Sequence, residues 1–330
     1  MKESIKIFLA TAVVSASAFY GIYRLLSKEQ TSFYDGKNLK AIIQVDKLDS
    51  PGTRMTGYHY DLLKRFAASM GASVEINHTR PKSNPLDSLL AGTADIVVIP
   101  AEHTHGHDSI HFSHKIGGAV VWAVKTDDPR RHEELSGWMR DYVDSETDDS
   151  IRTVFLTPLH PHRLAQNGVR RSQLTPYDDI LKANADSIGW DWRMLAALMY
   201  QESRFNINAG SGRGARGLMQ LMPVTRRNFG CENYLDPEEN IMAGARLIAF
   251  LEEKFRSKAA DEGELERITL AAYNAGDGRI SQCFATADSL GTDTKVWDSL
   301  VRLIPPETVS FVKNVLSYYD CFKEICPDTD

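Results

Sequence analysis

The spacing of apolar residues changes once along this chain of 330 residues. Between residues 38 and 127, short apolar runs alternate with segments whose apolar residues recur at helical spacing, and from residue 174 onward the pattern is helical. Strands that alternate with helices favour a parallel α/β sheet, whereas consecutive amphipathic helices favour a helical core. The sequence therefore predicts a small parallel-sheet α/β domain followed by a mainly α domain.

Individual elements follow from the same spacing. In the first part, strands are predicted at 40–45, 73–77, 94–100 and 119–125, and helices at 58–70, 85–91 and 129–143. Polar, proline-containing sequence then indicates a connection with one short strand at 153–156. In the last part, helices are predicted at 178–185, 192–201, 239–256, 264–273 and 308–319. We expect domains at 34–157 and 174–330, joined by a linker at 158–173.

The first 30 residues carry an export signal. Lys2 and Lys6 precede an uncharged, mostly apolar run at 7–23. The small residues at 16–18 match a signal-peptide cleavage pattern, yet a run of about 17 residues also reaches the lower limit for crossing a bilayer. Residues 1–30 are therefore a signal peptide or a membrane anchor. Either one places the protein in the periplasm or cell envelope, membrane-associated if the segment is not removed.

The four cysteines all lie in the last third of the chain. An even number of cysteines in an exported chain favours disulfides. Three pairings are possible, and we expect Cys231 with Cys283 and Cys321 with Cys326. Four buried free thiols are the alternative, and the spacings match no common zinc pattern.

Charge and histidine content limit the ligands. A formal net charge of -6 argues against a nucleic-acid partner, because phosphate binding needs a concentrated basic face. One histidine-rich stretch raises the possibility of a metal site, at His103, His105, His107, His111 and His114. Their spacing is not that of a tetrahedral site. We therefore favour solvated or hydrogen-bonded histidines and predict no bound metal.

One glutamate lies on the apolar face of a predicted helix. Glu202 follows Leu195, Leu198 and Met199 at helical spacing, and Asp191 is a candidate N-cap. Burial in an apolar site disfavours the anion and raises the pKa of a glutamate toward about 6 to 7, which suits a general acid at neutral pH. Spacing alone fits a structural role for this residue equally well.

Five ordered motifs include this glutamate. They are Glu202-Ser203-x-Phe205-Asn206, Ser211-x-x-Gly214-Ala215-x-Gly217-Leu218-Met219-Gln220, Asp236-Pro237-x-x-Asn240-Ile241-x-x-Gly244, Ala271-Ala272-Tyr273-Asn274-Ala275-Gly276 and Glu307-Thr308-x-x-Phe311-Val312-Lys313-Asn314. Together they resemble the soluble lytic transglycosylase family over about residues 178–319. Val309 and Phe311 depart from the usual Arg and Tyr of the last motif. The resemblance implies a lysozyme-like catalytic domain that acts on the glycan strands of peptidoglycan.

The resemblance also implies a reaction. The β-1,4 bond between N-acetylmuramic acid and N-acetylglucosamine is broken and 1,6-anhydro-N-acetylmuramic acid forms, with Glu202 acting first as acid and then as base. No metal or organic cofactor is required. Tyr273 is expected to hydrogen-bond Glu202, and Glu307 to be a distant carboxylate. The substrate-binding residues implied are Ser211, Met219, Gln220, Tyr273, Asn274 and Glu307.

The first domain resembles one lobe of the periplasmic solute-binding proteins, notably at residues 57–66 and 92–96. Residues 120–143 already resemble the closing strand and helix of that lobe, so the second lobe is missing. His107 stands where the family has an Arg that clamps a ligand carboxylate. We therefore expect a docking or regulatory domain that contacts other cell-wall proteins. The two domains together resemble membrane-bound lytic murein transglycosylases of the F type, in shortened form.

Three other functions remain open at this point. A goose-type lysozyme would hydrolyse the same bond, with Asp236 or Asp277 activating water. A catalytically silent protein would bind the wall without cleaving it. A solute sensor is disfavoured by the missing lobe and by His107.

Overall fold

The computed structural model describes residues 31–45, 55–79, 84–104, 107–116, 119–143, 145, 147–148, 152, 155, 159–291 and 295–328. The predicted signal peptide or membrane anchor lies outside these residues. Within them, no helix combines the length and apolar character needed to cross a bilayer. The chain forms two compact units. One consists mainly of residues before 149, and the other of residues from 149 onward together with segments 45–58 and 78–80.

The first unit is built on a five-stranded sheet. Its strands are β1 (Asn38–Gln44), β2 (Ser73–Thr79), β3 (Ile96–Pro100), β4 (Ile110–Phe112) and β5 (Val120–Lys125), in the order β2-β1-β3-β5-β4. β1 runs parallel to β3, with Ala41 opposite Ile96, whereas β5 is antiparallel to both β3 and β4. The predicted α/β class is confirmed, but the sheet is mixed where an all-parallel sheet was expected.

Three helices accompany the sheet: α1 (Met55–Ser69), α2 (Leu86–Ala91) and α3 (Pro129–Tyr142). The core contains edge-to-face aromatic contacts in which the ring centroid of Phe66 lies 6.1 Å from that of Trp122 and 5.3 Å from that of Trp138. The apolar spacing of α1, β5 and α3 therefore reflects one shared core, as the sequence predicts.

The second unit is helical throughout its named elements. They are α4 (Pro161–Gln166), α5 (Asp178–Ile188), α6 (Trp192–Ser203), α7 (Pro223–Phe229), α8 (Pro237–Phe255), α9 (Glu262–Ala275), α10 (Asp277–Ser289), α11 (Trp297–Leu300) and α12 (Pro306–Ile325). α6 packs against α5 and α12, and α8 packs against α5 and α9. The mainly α class predicted for this part of the chain is confirmed.

The predicted disulfides are wrong. All four cysteines are buried free thiols. Cys283 donates to the carbonyl of Leu303, whereas the amide of Asn240 approaches Cys231. Cys321 and Cys326 lie five residues apart along α12 and its C-terminus, which separates their Cα atoms by about 8 Å. That distance exceeds what a disulfide spans without movement of the backbone.

The connecting segment also differs from its prediction. The expected strand at 153–156 is wrong at Phe155, which is helical and fully buried; its other residues lie outside the described part of the chain. The predicted linker at 158–173 includes the short helix α4. Elements of this length are too short to show a clear periodic pattern.

Candidate active site

Helix α6 positions Glu202 at its last turn. The carboxylate of Asp191 caps the helix by accepting a hydrogen bond from the backbone N–H of Arg193, as the sequence predicts. The helix ends after Ser203 because Arg204 and Phe205 both adopt left-handed backbone conformations, with φ of 55° and 64°. Two consecutive residues other than glycine in this region are unusual and cost free energy, and such strain is concentrated at functional sites.

Burial controls the acidity of Glu202. The residue keeps some exposed surface, yet its carboxyl group is desolvated enough to raise its pKa to about 8. Desolvation is the whole cause, because no charged group among the described residues contributes to this shift. The side chain forms no hydrogen bond with a described residue. Glu202 is therefore mainly protonated at neutral pH and can donate a proton to a bound ligand.

A glycine-containing loop, residues 204–222, lies between α6 and α7 and is called the Met219 loop below. Two isolated antiparallel bridges, Gly210 with Arg216 and Arg216 with Leu221, fold the loop back on itself. Gly217 has φ of 83°, and a Cβ atom there would lie 2.3 Å from the amide nitrogen of Asn240. Glycine is thus required at this position both by backbone conformation and by the close approach of α8.

The peptide groups of Met219 are fixed from two sides. Its backbone N–H donates to Oδ1 of the fully buried Asn240 at 2.8 Å, and its carbonyl accepts from the Tyr273 hydroxyl at 2.8 Å. The side chain of Met219 packs closely over Gly244, one turn beyond Asn240 on α8. The loop is therefore held by α8 and α9 together.

Tyr273 connects this loop electrostatically with Glu202. Burial, and in second place the charge of Glu202, raise the pKa of Tyr273 well above its usual value. The predicted hydrogen bond between these two side chains is wrong, because the Tyr273 hydroxyl donates to the Met219 carbonyl instead. Tyr273 is thus hydrogen-bonded to Met219 and electrostatically coupled to Glu202.

The other predicted substrate-binding residues lie around this cluster in different settings. The Ser211 hydroxyl accepts from the backbone of Ala215 at 3.1 Å, and the Gln220 side-chain amide donates to the carbonyl of Gly217 at 2.9 Å. Both side chains therefore stabilise the loop in this structure.

Asn274 and Glu307 lie at the ends of neighbouring helices. Asn274 is exposed at the end of α9, and its Oδ1 accepts from the Thr308 hydroxyl at 2.8 Å. Glu307 is exposed in the first turn of α12 and makes no hydrogen bond or ion pair with a described residue. The contact between Asn274 and Thr308 joins the last motif to α9, the helix that also carries Tyr273.

Sequence reasoning did not assign a role to Asn240. It is part of the third motif, but its spacing gives no sign that it accepts from Met219, 21 residues earlier in the chain. Its amide nitrogen also points to the Arg216 carbonyl at 3.5 Å. The useful signal is a polar residue on the otherwise buried face of α8, which is rarely tolerated without hydrogen-bond partners.

The two aspartates considered as a second catalytic carboxylate have structural partners. Asp236 caps α8 by accepting from the backbone N–H of Glu239 at 3.0 Å. Asp277 forms an ion pair with Lys254. Neither contributes to the pKa shift of Glu202. Of the three carboxyl groups considered for the reaction, Glu202 is the one whose pKa is raised by burial, whereas the ion pair with Lys254 lowers the pKa of Asp277.

The predicted histidine stretch forms hydrogen bonds and ring contacts. His103 faces the Gln44 amide at 3.3 Å, and His111 stacks on His132 with ring centroids 4.7 Å apart. His105 lies outside the described residues. In the part of the chain that the structure describes, no three His, Cys, Asp or Glu side chains are grouped to hold a metal ion.

Residues 179–296 match the family model of the transglycosylase SLT domain. This part of the chain, which contains Glu202, the Met219 loop and Tyr273, is therefore similar to the transglycosylase SLT domain. Among curated relatives, the chain is similar to the membrane-bound lytic murein transglycosylase F of Desulfosudis oleivorans, with 28% identity over 229 residues, 62% of this chain and 50% of the relative. The protein of the same name from Pseudomonas fluorescens is 32% identical over 168 residues, 46% of this chain and 34% of the relative.

The chain thus spans half or less of the length of these relatives. Among solved structures, an inactive mutant of the lytic transglycosylase Slt from Pseudomonas aeruginosa shares 31% identity over 46% of this chain and 24% of its own, with a TM-score of 0.37. The 70 kDa soluble lytic transglycosylase from Escherichia coli shares 24% identity over 61% of this chain and 36% of its own, with a TM-score of 0.40.

Proposed function

We propose that this protein is a peptidoglycan lytic transglycosylase in which Glu202 acts as acid and then as base. The observation that carries the proposal is the raised pKa of Glu202, about 8, beside Tyr273 and the Met219 loop in an SLT domain. A carboxylic acid that keeps its proton at neutral pH can protonate a glycosidic oxygen. The names of the relatives point to the same reaction.

The presence of one candidate carboxyl group with a raised pKa and no partner among the described residues favours a lyase over a hydrolase. Glycosidases usually need a second carboxylate as nucleophile or as base for water. Asp236 and Asp277 are committed to a helix cap and an ion pair. With Glu202 alone, the substrate must supply the nucleophile.

The proposed reaction proceeds in two balanced steps. Glu202 donates its proton to the oxygen that links N-acetylmuramic acid to N-acetylglucosamine, and the C1–O bond breaks while the acetamido oxygen of the muramic acid bonds to C1. The Glu202 carboxylate then removes the proton of the C6 hydroxyl, whose oxygen displaces the acetamido oxygen at C1. The acetamide is restored, a 1,6-anhydro ring forms and Glu202 regains its proton, so water is not consumed.

The remaining residues are proposed to bind the glycan. Met219 would supply an apolar wall and Gln220 an amide for the N-acetyl group, after giving up its contact with Gly217. Asn274, at the C-terminal end of α9, and Glu307, in the first turn of α12, are exposed and would contact the strand farther from the cleaved bond. Ser211 would act through the loop that its hydroxyl stabilises.

Product analysis tests the proposal. Purified sacculi are digested with the full chain, and the soluble fragments are analysed by mass spectrometry. We expect 1,6-anhydro ends and no added water. Reducing ends formed with one added water would instead assign a goose-type lysozyme, and a chain that releases no fragment would assign a wall-binding protein.

We also propose a location for the protein and a role for its first unit. We infer an envelope location from residues 1–30 and from the relatives' printed names, which describe membrane-bound enzymes. The α/β unit would serve as a docking or regulatory domain for other cell-wall proteins. Calorimetry that shows tight amino-acid binding to this protein would contradict that role and favour a solute sensor.

A further inference from the structure

A hydrogen bond between side chains joins the C-terminal end of α9 to the first turn of α12. The Thr308 hydroxyl donates to Oδ1 of Asn274 at 2.8 Å. Thr308 is buried, with 1% of its surface exposed, whereas Asn274 is exposed and directly follows Tyr273. The contact therefore connects a residue that is closed off from solvent with an amide that a ligand can reach.

The proton of the Thr308 hydroxyl determines which way the amide of Asn274 lies. A threonine hydroxyl carries one proton, and a side-chain amide has an acceptor oxygen at one end and two N–H donors at the other. Among the described residues, the Thr308 hydroxyl makes this hydrogen bond and no other. An amide turned by half a rotation would leave that buried proton without an acceptor, which native structures rarely tolerate. Oδ1 of Asn274 therefore faces Thr308.

This orientation leaves the nitrogen of the Asn274 amide as the polar atom that α12 does not engage. Its Nδ2 makes no hydrogen bond with any residue that the structure describes. Both N–H groups are therefore available to a ligand, and both of them are donors. The ligand group that pairs with them is a hydrogen-bond acceptor, such as a carbonyl or hydroxyl oxygen of a glycan.

An exposed asparagine without such a partner has no fixed orientation. The two ends of its amide have nearly the same shape, and water can satisfy either one. In the turned orientation, an acceptor oxygen of the ligand would meet Oδ1 and be repelled by it. The hydrogen bond from Thr308 excludes that orientation before the ligand arrives, and such preorganisation reduces the free energy that binding costs.

We propose that Thr308 is a positioning residue, which holds the amide of Asn274 so that its N–H donors face an acceptor oxygen of the glycan. Thr308 acts through Asn274 and does not touch the glycan itself, because it is buried. Its contribution lies in substrate binding and not in the proton transfer that Glu202 performs. This inference rests on the proposed function, since it takes a glycan strand as the ligand.

Steady-state kinetics of the full chain on soluble glycan strands test the proposal. We expect Thr308→Val, which keeps the shape of the side chain but removes the hydroxyl, to raise KM about fivefold and to leave kcat nearly unchanged. Thr308→Ser retains the hydroxyl and should restore the wild-type KM. Thr269→Val is the matched control, since Thr269 is fully buried on α9 and its hydroxyl has no partner among the described residues.

A double-mutant cycle identifies the residue through which Thr308 acts. In the Asn274→Ala background, Thr308→Val should cause no further rise in KM, because the amide that it orients is absent. Additive effects of the two substitutions would overturn the inference. Asn274→Asp keeps an oxygen for Thr308 but presents a second oxygen to the ligand, so we expect KM to rise at least as much as in Asn274→Ala. A wild-type KM for Asn274→Asp would show that the ligand group is a donor, which also overturns the inference.

A binding measurement separates this inference from the proposed reaction. Soluble glycan strands are titrated by calorimetry into the Glu202→Gln protein, alone and combined with Thr308→Val and Asn274→Ala. A loss of affinity of about fivefold with Thr308→Val, absent in the Asn274→Ala background, supports the inference even if the products of the active protein prove to be hydrolytic. Equal affinities with and without Thr308→Val overturn it even if anhydro ends are found. Thermal melting identifies a folding defect, in which case Thr308→Ala takes the place of Thr308→Val.

Discussion

The hydroxyl of Tyr273 donates a hydrogen bond of 2.8 Å to the backbone carbonyl of Met219. The same ring lies close enough to Glu202 for the carboxylate to raise the pKa of the phenol. Tyr273 therefore fixes the loop through its hydroxyl and lies within electrostatic range of the acid.

Replacing Tyr273 with Phe keeps the ring but removes the hydrogen bond to Met219. We expect glycan release from sacculi to fall about fivefold, because the loop loses one of its two anchors at Met219 and a hydrogen bond of this kind is worth about 1 kcal/mol. Tyr318→Phe is the matched control, since the Tyr318 hydroxyl makes no hydrogen bond with a described residue. Equal activity of Tyr273→Phe and wild-type protein would show that the hydrogen bond from Tyr273 to Met219 does not contribute to cleavage.

The pH dependence of cleavage should reflect the acidity of Glu202. Since its pKa is raised to about 8, the acid form persists through neutral pH and is lost as the pH rises further. We expect kcat/KM to fall tenfold per pH unit on the alkaline side, with a midpoint near that value. The measurement uses soluble glycan strands between pH 5 and 10. A decline centred near pH 5 would show that the carboxyl group is solvated.

Glu202→Gln should abolish cleavage and stabilise the fold at alkaline pH. The folded-state pKa of Glu202 exceeds its usual value of 4.5, so the native protein binds more protons than the unfolded chain between about pH 4.5 and 8. The wild-type protein loses stability over that interval, and the neutral amide does not. Because Glu202 is partly exposed, we expect a gain of about 2 kcal/mol at pH 9 and little at pH 4.

Denaturant unfolding of both proteins at the two pH values measures this difference. The control is Glu307→Gln, which changes an exposed glutamate on α12. A Glu202→Gln protein whose stability relative to wild type does not change with pH would contradict the buried acid.

Substitution of two loop glycines tests whether close packing against α8 holds the loop in place. Gly217→Ala should destabilise the protein by about 2 kcal/mol or more and reduce activity, because alanine is strained at positive φ and its Cβ would meet the Asn240 amide at 2.3 Å. Gly212→Ala in the same loop is the control, since its Cβ would meet nothing within 4 Å and its φ is not positive. Thermal melting and sacculus digestion of both variants compare the two positions. Equal effects would mean that the loop is not held by α8.

The residues around Glu202 show which features of the site can be predicted from the sequence. The position of the acid on the buried face of α6 and the Asp191 cap are local features, so a periodic pattern predicts them. The bond between Asn240 and Met219 joins a helix to a loop 21 residues away, and apolar spacing carries no information about such partners. For the same reason the sequence does not reveal that the Tyr273 hydroxyl donates to the Met219 carbonyl.

The sheet and the cysteines show a similar limit. Apolar spacing locates four of the five strands. It gives no information about the direction in which two strands pair, and β5 is antiparallel where the sequence predicts a parallel strand. An even number of cysteines favours disulfides only if the protein is exported to an oxidising compartment. The geometry of α12, which keeps Cys321 and Cys326 apart, decides the outcome.

The four reduced thiols have a practical meaning for handling this protein. Each sulfur is buried, and burial raises the pKa of Cys231 to about 11, so the reactive thiolate is scarce. The helical unit thus owes none of its cohesion to covalent cross-links between side chains. It should be recoverable from a reducing cytosol as readily as from an oxidising compartment, with the same melting temperature in the presence or absence of dithiothreitol.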